Sequence, residues 1–428
     1  MGRWALAGLV LNGVFGSGVY GLPAVVAGKL GSLAWVGVVA AGLVVAVIVA
    51  CFAEVASRFP GTGGPYLYVT AAFGPYLGIQ VGWLHYLTRV ASAATNANLF
   101  VVYLGEFIPG MDRFGAKAMT VAALFGSLAA VNWIGVKQGA WMSSLSMMVK
   151  AVPLVLFAVG GVVVALVRGP VAPSPMAPLT AKAWIDSLLL LVFAYGGFES
   201  GMIALGEARD PRRDAPFALF LAIGACIVTY VMVQLATTFS LADPAAHVRS
   251  VADAARVLTG PAGGAFMAIG VLLSLFGWFV GAMVVVPRLT FAMARQGALP
   301  EVLGRVHPVY RTPHVSIACF ALLSAGLTMA GGFLANLTLS VISRLAIYGL
   351  VCASVVAFRR RDGTVRAVGE ARFRLPWGGG FAAVGVAVAL LLATRMSAWE
   401  AAIMVVVVGL ASANWWLTRS RLKSPAFE

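Results

Sequence analysis

The chain has 428 residues, of which 61% are hydrophobic and 11% are charged. A soluble domain carries roughly 25% charged residues, so this composition excludes a soluble enzyme, and it equally excludes a disordered chain. The formal net charge is +15, but a basic nucleic-acid-binding patch needs a polar surface that such a composition does not supply. We therefore expect an integral membrane protein in a lipid bilayer, with positive loops on one side and no nucleic-acid partner.

Apolar segments of about 20 residues, the length that crosses a bilayer, recur along the whole chain. Breakers such as Pro-Gly and Asp-Pro pairs separate them. They predict an all-α integral membrane protein with twelve transmembrane helices. In chain order, the predicted spans are residues 4–29, 32–56, 74–107, 117–136, 142–167, 184–206, 216–241, 264–294, 314–331, 336–357, 376–395 and 398–418.

Lysines and arginines are shared unevenly between the two sets of loops. With a cytoplasmic N-terminus, nineteen lie inside and eight outside, while Arg89, Lys150 and Arg344 fall within spans. The positive-inside rule then predicts a multi-pass protein of the cell membrane with both termini in the cytoplasm. The four cysteines lie in apolar runs without CxxC or Cys/His spacing, so we predict buried structural thiols, no metal site and no cofactor.

Two spans carry glycine clusters that interrupt a helix. They read FGSGVYGLP over residues 15–23 in the first span and FAYGGFESG over residues 193–201 in the sixth. Small residues also serve close helix packing, so either cluster alone has two interpretations. The pair occupies equivalent positions if spans 1–5 and 6–10 are repeats, and because five is odd the second repeat is inverted. Broken helices at matching places in inverted repeats indicate a midplane binding site of a secondary transporter.

The two breaks expose complementary backbone groups. Free N–H groups at the start of the second half of the first span, around Gly16, Ser17 and Gly18, suit a carboxylate. Carbonyl oxygens freed in the sixth span suit a cation such as an α-ammonium group. The two breaks are therefore predicted to hold both ends of an amino acid.

Several motifs resemble those of the amino acid–polyamine–organocation (APC) transporters. Residues 16–20 (GSGVY) resemble the GSGIF-type motif of the first helix, and residues 59–66 (FPGTGGPY) resemble the segment after the second. Residues 197–200 (GFES) and 206–211 (GEARDP) resemble the helix 6 motif and its cytoplasmic exit. Residues 294–300 (ARQGALP) resemble ARDGxLP after helix 8, with glutamine replacing the usual aspartate. In this order they cover nearly the whole chain.

The resemblance implies a five-plus-five inverted repeat with broken helices 1 and 6 and two extra C-terminal helices. Residues 1–180, 181–360 and 361–428 are then the two repeats and the added pair of one transporter domain. Alternating access is the implied mechanism. An aromatic gate corresponds to Phe193, where some relatives have Trp, and this difference argues against cationic substrates. The predicted substrate-binding residues are Gly16, Ser17, Gly18, Val19, Phe193, Ala194, Gly196 and Gly197.

Lys150 lies in the fifth span, about eight residues from the nearest span end and too deep to reach the surface easily. A lysine at such depth can gain and lose a proton near neutral pH. Some APC members have a helix 5 lysine where sodium-coupled relatives bind Na⁺. We predict that Lys150 serves coupling or replaces that cation, bridging the first and eighth spans, with Ser274 as a candidate neighbour. A purely structural lysine is the alternative.

Glu199 in the sixth-span break has two interpretations: a proton-sensing or gating acid, or a cap for freed N–H groups. Tyr20 joins the predicted coupling and gating group. Arg89 and Arg344 either line a vestibule or pair with an acid. For the cytoplasmic-end acids Glu54 and Glu207, structural or gating ion pairs are favoured over contact with substrate.

The sequence therefore predicts a secondary active transporter for proton-coupled uptake of neutral amino acids, as a monomer or homodimer. A sodium-independent amino acid exchanger is the alternative. A membrane enzyme lacks support because the chain has no GxSxG, HExxH or P-loop motif. A channel lacks support because no filter-like polar ring is visible.

Overall fold

The computed structural model describes residues 2–59, 63–135, 140–168, 179–203, 205, 208–295, 297–361 and 370–419. Within these ranges the chain is entirely helical, with no β-strand. The sixteen α-helices of the described chain are α1 (Arg3–Val14), α2 (Gly18–Leu30), α3 (Ala34–Ala56), α4 (Gly64–Phe73), α5 (Pro75–Leu104), α6 (Phe114–Ile134), α7 (Ala140–Arg168), α8 (Ala181–Tyr195), α9 (Phe198–Ile203), α10 (Pro211–Ser240), α11 (Ser250–Thr259), α12 (Pro261–Arg295), α13 (His314–Ala330), α14 (Phe333–Arg360), α15 (Gly378–Ala393) and α16 (Ala398–Thr418).

Each predicted span coincides with one of these helices or with a consecutive pair. The first span is α1 with α2, and the sixth is α8 with α9, each pair separated by a break. By length and composition, seven helical segments of the described residues could cross a membrane, and three shorter helices are also apolar. The chain is thus a helical, multi-pass membrane protein. Twelve crossings and the inversion of the two halves remain predictions.

Large apolar side chains cover much of the outer surface. Leu166, Val167, Leu322, Val405 and Leu417 are each more than two-thirds exposed. An extensive exposed apolar surface indicates a site of interaction. In a bundle of apolar helices, this surface is expected to contact lipid. The polar residues that matter for function consequently lie inside the bundle.

Helix α5 is the polar centre of the bundle. It packs against α12, α13, α14 and α16, and most of its length is buried. Buried polar groups need partners, and here hydroxyl pairs supply them: Thr88 with Ser343 and Ser92 with Ser340, both at 2.8 Å. These contacts fix the register of α5 against α14, and thereby the positions of the charged residues on both helices.

Ion pairs close the ends of the bundle. The fully buried Glu54 accepts hydrogen bonds from Arg359 Nε at 2.7 Å and Nη2 at 2.6 Å, and from Leu375 N at 2.9 Å. At another site, Glu106 pairs with Arg249 at 2.9 Å and also with Arg256. The structural ion pair predicted for Glu54 is therefore confirmed.

Some predicted features lie outside the described residues. These are Pro60, Gly61 and Thr62 of the motif after the second span, Gly206 and Glu207 of the sixth-span exit, and Gln296. Most of the basic stretch, residues 362–369, and the loop 169–178 are also outside. The four cysteines are described as free thiols, three buried and Cys319 half-buried.

Candidate functional site

The first break separates α1 from α2 at residues 15–17. Ser17 N donates to Asn96 Oδ1 on α5 at 3.0 Å, which anchors the break to the polar centre. Tyr20 N and Gly21 N donate to Ser17 O at 3.2 and 2.9 Å. Gly18 N and Val19 N, by contrast, have no intrahelical partner because no preceding turn supplies carbonyls. The start of α2 therefore has backbone donors that are free to bind a ligand. The hydroxyl of Ser17, the residue before it, is fully buried and also has no hydrogen-bond partner among the described residues.

The second break lies between α8 and α9, at Gly196 and Gly197. Gly196 has extended backbone, and Gly197 has φ +116°, a conformation that favours glycine because it carries no Cβ. Gly196 N donates to Phe193 O at 3.1 Å and closes the last turn of α8. The glycine pair thus allows a sharp turn between the two half-helices.

The two breaks pack directly against each other. A Cβ on Gly18 would lie 2.5 Å from the Ala194 Cα, and a Cβ on Gly197 would lie 2.2 Å from the Gly13 carbonyl oxygen. The Tyr230 hydroxyl of α10 spans both breaks, lying 3.1 Å from Ala194 O and 3.3 Å from Val14 O. Glycine is required here by close backbone approach, which confirms that the clusters serve packing as well as unwinding.

A small cavity lies where the breaks meet. Its volume is about 20 Å³, room for about one water molecule. Of the predicted substrate-binding residues, six line it, whereas Val19 and Ala194 do not. The lining residues are Gly13, Val14, Gly16, Ser17, Gly18, Arg89, Ser92, Asn96, Phe193, Gly196, Gly197, Trp278 and Arg344. An amino acid would fit only after the helices separate.

Glu199 lies at the centre of a buried charge cluster. Its Oε1 is 3.2 Å from Arg89 Nη2 and 3.3 Å from Arg344 Nε. Its Oε2 accepts from Gly197 N at 2.9 Å and from the Tyr348 hydroxyl at 3.1 Å. The capping interpretation of Glu199 is therefore confirmed. Of the two alternatives for Arg89 and Arg344, the structure shows the pairing with an acid, and both residues also line the cavity between the breaks.

Arg89 is held firmly on its own side of the cluster. Besides Glu199, it donates to the Ser200 hydroxyl and, through Nε, to His85 Nε2 at 3.4 Å. Because His85 acts as the acceptor, that imidazole is in its neutral form in this arrangement.

Arg344 is held less completely. Its guanidinium lies over the Phe193 ring, with Cζ 5.8 Å from the ring centroid. Its Nη1 has no hydrogen-bond partner in the described chain, and its Nε faces Glu199 without hydrogen-bond alignment. A Cβ on Gly196 would lie 1.6 Å from Nη1, so this glycine makes room for the guanidinium.

Lys150 lies beside the first break but outside the cavity. Its Nζ donates to Asn12 Oδ1 at 2.9 Å and lies 3.5 Å from Asn12 O, near the end of α1. The predicted neighbour Ser274, on α12, instead lies near the Tyr20 hydroxyl and forms no hydrogen bond within the described structure. The contact of Lys150 with the first span is present, whereas its predicted link to the eighth span is not among the described contacts.

Sequence reasoning did not single out Ser92 or Trp278, which form part of the cavity wall. Arg89, Ser92 and Asn96 follow the i, i+3, i+7 spacing of one helix face, and this pattern could have placed them together. Arg344 stood out only as a charge at membrane depth. Trp278 gave no signal, because an aromatic residue in an apolar span is ordinary packing material.

Two interrupted helices that meet at a buried cavity inside an apolar bundle define a membrane transporter of the broken-helix class. The profile of the family described as amino acid permease matches residues 1–416, and the chain belongs to this family. The APC resemblance drawn from the motifs is thereby confirmed.

Individual relatives are also transporters. The chain is 27% identical to the methylthioribose transporter of Bacillus subtilis (strain 168) over 387 residues, which covers 85% of this chain and 81% of the relative. It is 26% identical to the serine/threonine exchanger SteT of the same organism over 328 residues, 72% of each chain. An uncharacterised transporter of Mycobacterium tuberculosis is 28% identical over 386 residues, covering 84% of this chain and 80% of the relative.

Proposed function

We propose that this permease imports amino acids by alternating access, with the two breaks as its substrate site. The carrying observation is that the unpartnered Ser17 hydroxyl at the start of α2 shares one cavity with the turn that ends α8. The donors suit the α-carboxylate, and the carbonyl of Phe193, which lines the cavity, suits the α-ammonium group. Since the cavity holds about one water molecule, substrate enters when the broken helices move apart.

The side chain of the substrate carries no positive charge in this proposal. The face of Phe193, the residue at the aromatic gate, is already covered by the Arg344 guanidinium. A cationic side chain would meet a like charge there instead of an open ring. The neutral amino acids predicted from the sequence belong to the classes that remain.

Proton coupling through Lys150 is the second part of the proposal. Lys150 is buried, and among the described residues its ammonium group contacts only Asn12, a neutral partner. A lysine without a carboxylate partner can lose its proton at modest cost, and the loss would weaken its hold on α1 next to the first break. Sodium-independent exchange is the alternative, and the relative named as a serine/threonine exchanger keeps it open.

Uptake into proteoliposomes tests both parts. We expect saturable uptake of labelled amino acids, stimulated by an acidic exterior, and a loss of at least about tenfold of that stimulation in Lys150→Ala. Lys29→Ala is the matched control, because Lys29 is half-exposed and only 3.8 Å from Asp186 in a surface pair.

The outcomes separate the alternatives. Uptake that requires an amino acid inside the vesicle and ignores the pH gradient indicates an exchanger. Equal pH dependence in Lys150→Ala and the wild type rules out the coupling role. Absence of saturable uptake for every amino acid contradicts amino acid transport itself.

A further inference from the structure

The charge cluster at the cavity is unbalanced. Arg89 and Arg344 bring two positive charges to Glu199, which supplies one negative charge. A guanidinium group carries a positive charge in proteins, and the neighbouring His85 acts only as a hydrogen-bond acceptor towards Arg89. In the described part of the chain, no second carboxylate contacts either guanidinium. The wall of the cavity therefore carries one positive charge in excess.

Arg344 is the residue whose positive charge can bind a ligand. This side chain is 2% exposed, yet its Nη1 has no hydrogen-bond partner among the described residues although it lines the cavity. A buried donor without an acceptor is unfavourable, and more so when it is charged. An acceptor supplied by a ligand would remove this cost.

The same cavity has a separate anion-binding point at the start of α2. There, Ser17 and Gly18 line the cavity at a helix start, and the buried Ser17 hydroxyl has no hydrogen-bond partner among the described residues. Gly18 packs on Ala194, and Arg344 packs on Gly196, two residues further along the chain. Residues 194 and 196 are at most about 7 Å apart along the backbone, and both anion-binding points border the same small cavity, where one ligand can contact both.

Building on amino acid transport as the proposed function, we propose that the preferred substrate is an acidic amino acid. Its α-carboxylate binds at the start of α2, and its side-chain carboxylate binds Arg344 Nη1. The α-ammonium group lies between them, at the carbonyl end of α8. Such a ligand has a net charge of −1 and neutralises the cluster. A neutral amino acid leaves the excess charge buried, which is unfavourable at membrane depth.

Amino acids that differ only by a side-chain carboxylate or carboxamide test the contribution of the substrate's negative charge. We would measure uptake of labelled glutamate and aspartate by the full chain in proteoliposomes, each in competition with glutamine and asparagine. The members of a pair have nearly the same shape, so the ratio of their apparent affinities reports the extra carboxylate. We expect the acids to bind at least about tenfold more tightly, the scale of one hydrogen bond to a charged group.

Arg344→Gln tests the assigned partner. We expect the acid-to-amide affinity ratio to fall to near one, while Arg344→Lys retains part of the preference. Arg395→Gln is the control for loss of an arginine, because Arg395 pairs with Asp186 at 2.8 Å and does not line the cavity. Its ratio is expected to equal that of the wild type.

Three results would overturn the assignment. A wild type that takes up the amides as well as the acids removes the proposed specificity while leaving amino acid transport intact. A preference that persists in a folded Arg344→Gln places the carboxylate elsewhere. Uptake of no amino acid contradicts the proposed function as well. Should Arg344→Gln fail to fold, the competition ratios of the wild type still decide the specificity.

Discussion

The two breaks have the same glycine signature but are completed in opposite ways. Each creates a new helix start with free N–H groups. At α9, the chain's own Glu199 caps Gly197 N at 2.9 Å. At α2, Asn96 takes one N–H, and the Ser17 hydroxyl is left without a partner. A glycine cluster thus shows where a helix opens, whereas the side chains around it determine whether the opening is free for a ligand.

Electrostatics follows the same division. The sixth-span break carries one carboxylate and two guanidinium groups, whereas the first break has no carboxylate among its described contacts: Ser17 N is bonded to the neutral Asn96, and the Lys150 ammonium group lies at the end of α1. A second carboxylate from a substrate would be repelled by Glu199 at α9 but not at α2. The comparison therefore assigns the α-carboxylate to the first break, and the following substitutions test it in order of expected effect.

Glu199→Gln should cause the largest loss of stability. It keeps the shape of the side chain but leaves two buried guanidinium groups without a counter-charge, which costs about 3–5 kcal/mol for a broken buried pair. The measurement is the thermal unfolding of purified protein in detergent. Asp210→Asn removes a half-exposed partner of Arg372 and should cost less than about 1 kcal/mol. Equal stability of the two variants would mean that the cluster holds no real charge imbalance.

Gly18→Ala should abolish uptake at a moderate cost in stability. The new methyl group would lie 2.5 Å from the Ala194 Cα, which is backbone and cannot rotate away. Overpacking of this kind costs about 1–3 kcal/mol and would force the two breaks apart. Gly126→Ala is the control, because nothing lies within 4 Å of its Cβ position. Wild-type uptake by Gly18→Ala would contradict the close packing of the breaks.

Gly196→Ala should affect substrate preference more than stability, in contrast to Gly18→Ala. Its new methyl group nevertheless lies even closer to a neighbouring atom than the methyl group of Gly18→Ala does. The obstacle is Arg344 Nη1 at 1.6 Å, the end of a flexible side chain that can move. We expect a smaller loss of stability than in Gly18→Ala, because a side chain rather than the backbone must move, together with a loss of the preference for acids over amides. Thermal unfolding and the competition assay together check this. A retained preference would show that the guanidinium does not contact the substrate.

Ser17→Ala should give the smallest change in stability. Because its hydroxyl makes no hydrogen bond in the described structure, removing it breaks none and should alter stability by less than about 1 kcal/mol. Affinity should still fall several-fold, equally for acids and amides, since all share the α-carboxylate. If stability drops while affinity is retained, the hydroxyl serves packing rather than binding.

The helical segments and both breaks could be predicted from the sequence, because the length of an apolar segment and a cluster of glycines are local properties. The sequence also marked Lys150, Arg89, Arg344 and Glu199 as costly charges at membrane depth. It could not pair them, because α5, α9 and α14 meet only through the packing of distant segments. Lys150 contacts Asn12 instead of Ser274 because of the same packing between helices. The spacing of residues along one helix does not predict such contacts.

The surplus positive charge beside the cavity makes the transport cycle sensitive to the membrane potential. Moving one elementary charge through a potential of 100 mV involves about 2.3 kcal/mol. An empty site carries the surplus of Arg89 and Arg344 over Glu199, whereas a site filled by an acidic amino acid carries none from this cluster. The membrane potential would then act, through this cluster, on the return of the unloaded carrier, so a turnover rate that depends on voltage is the expected electrical signature of the cluster.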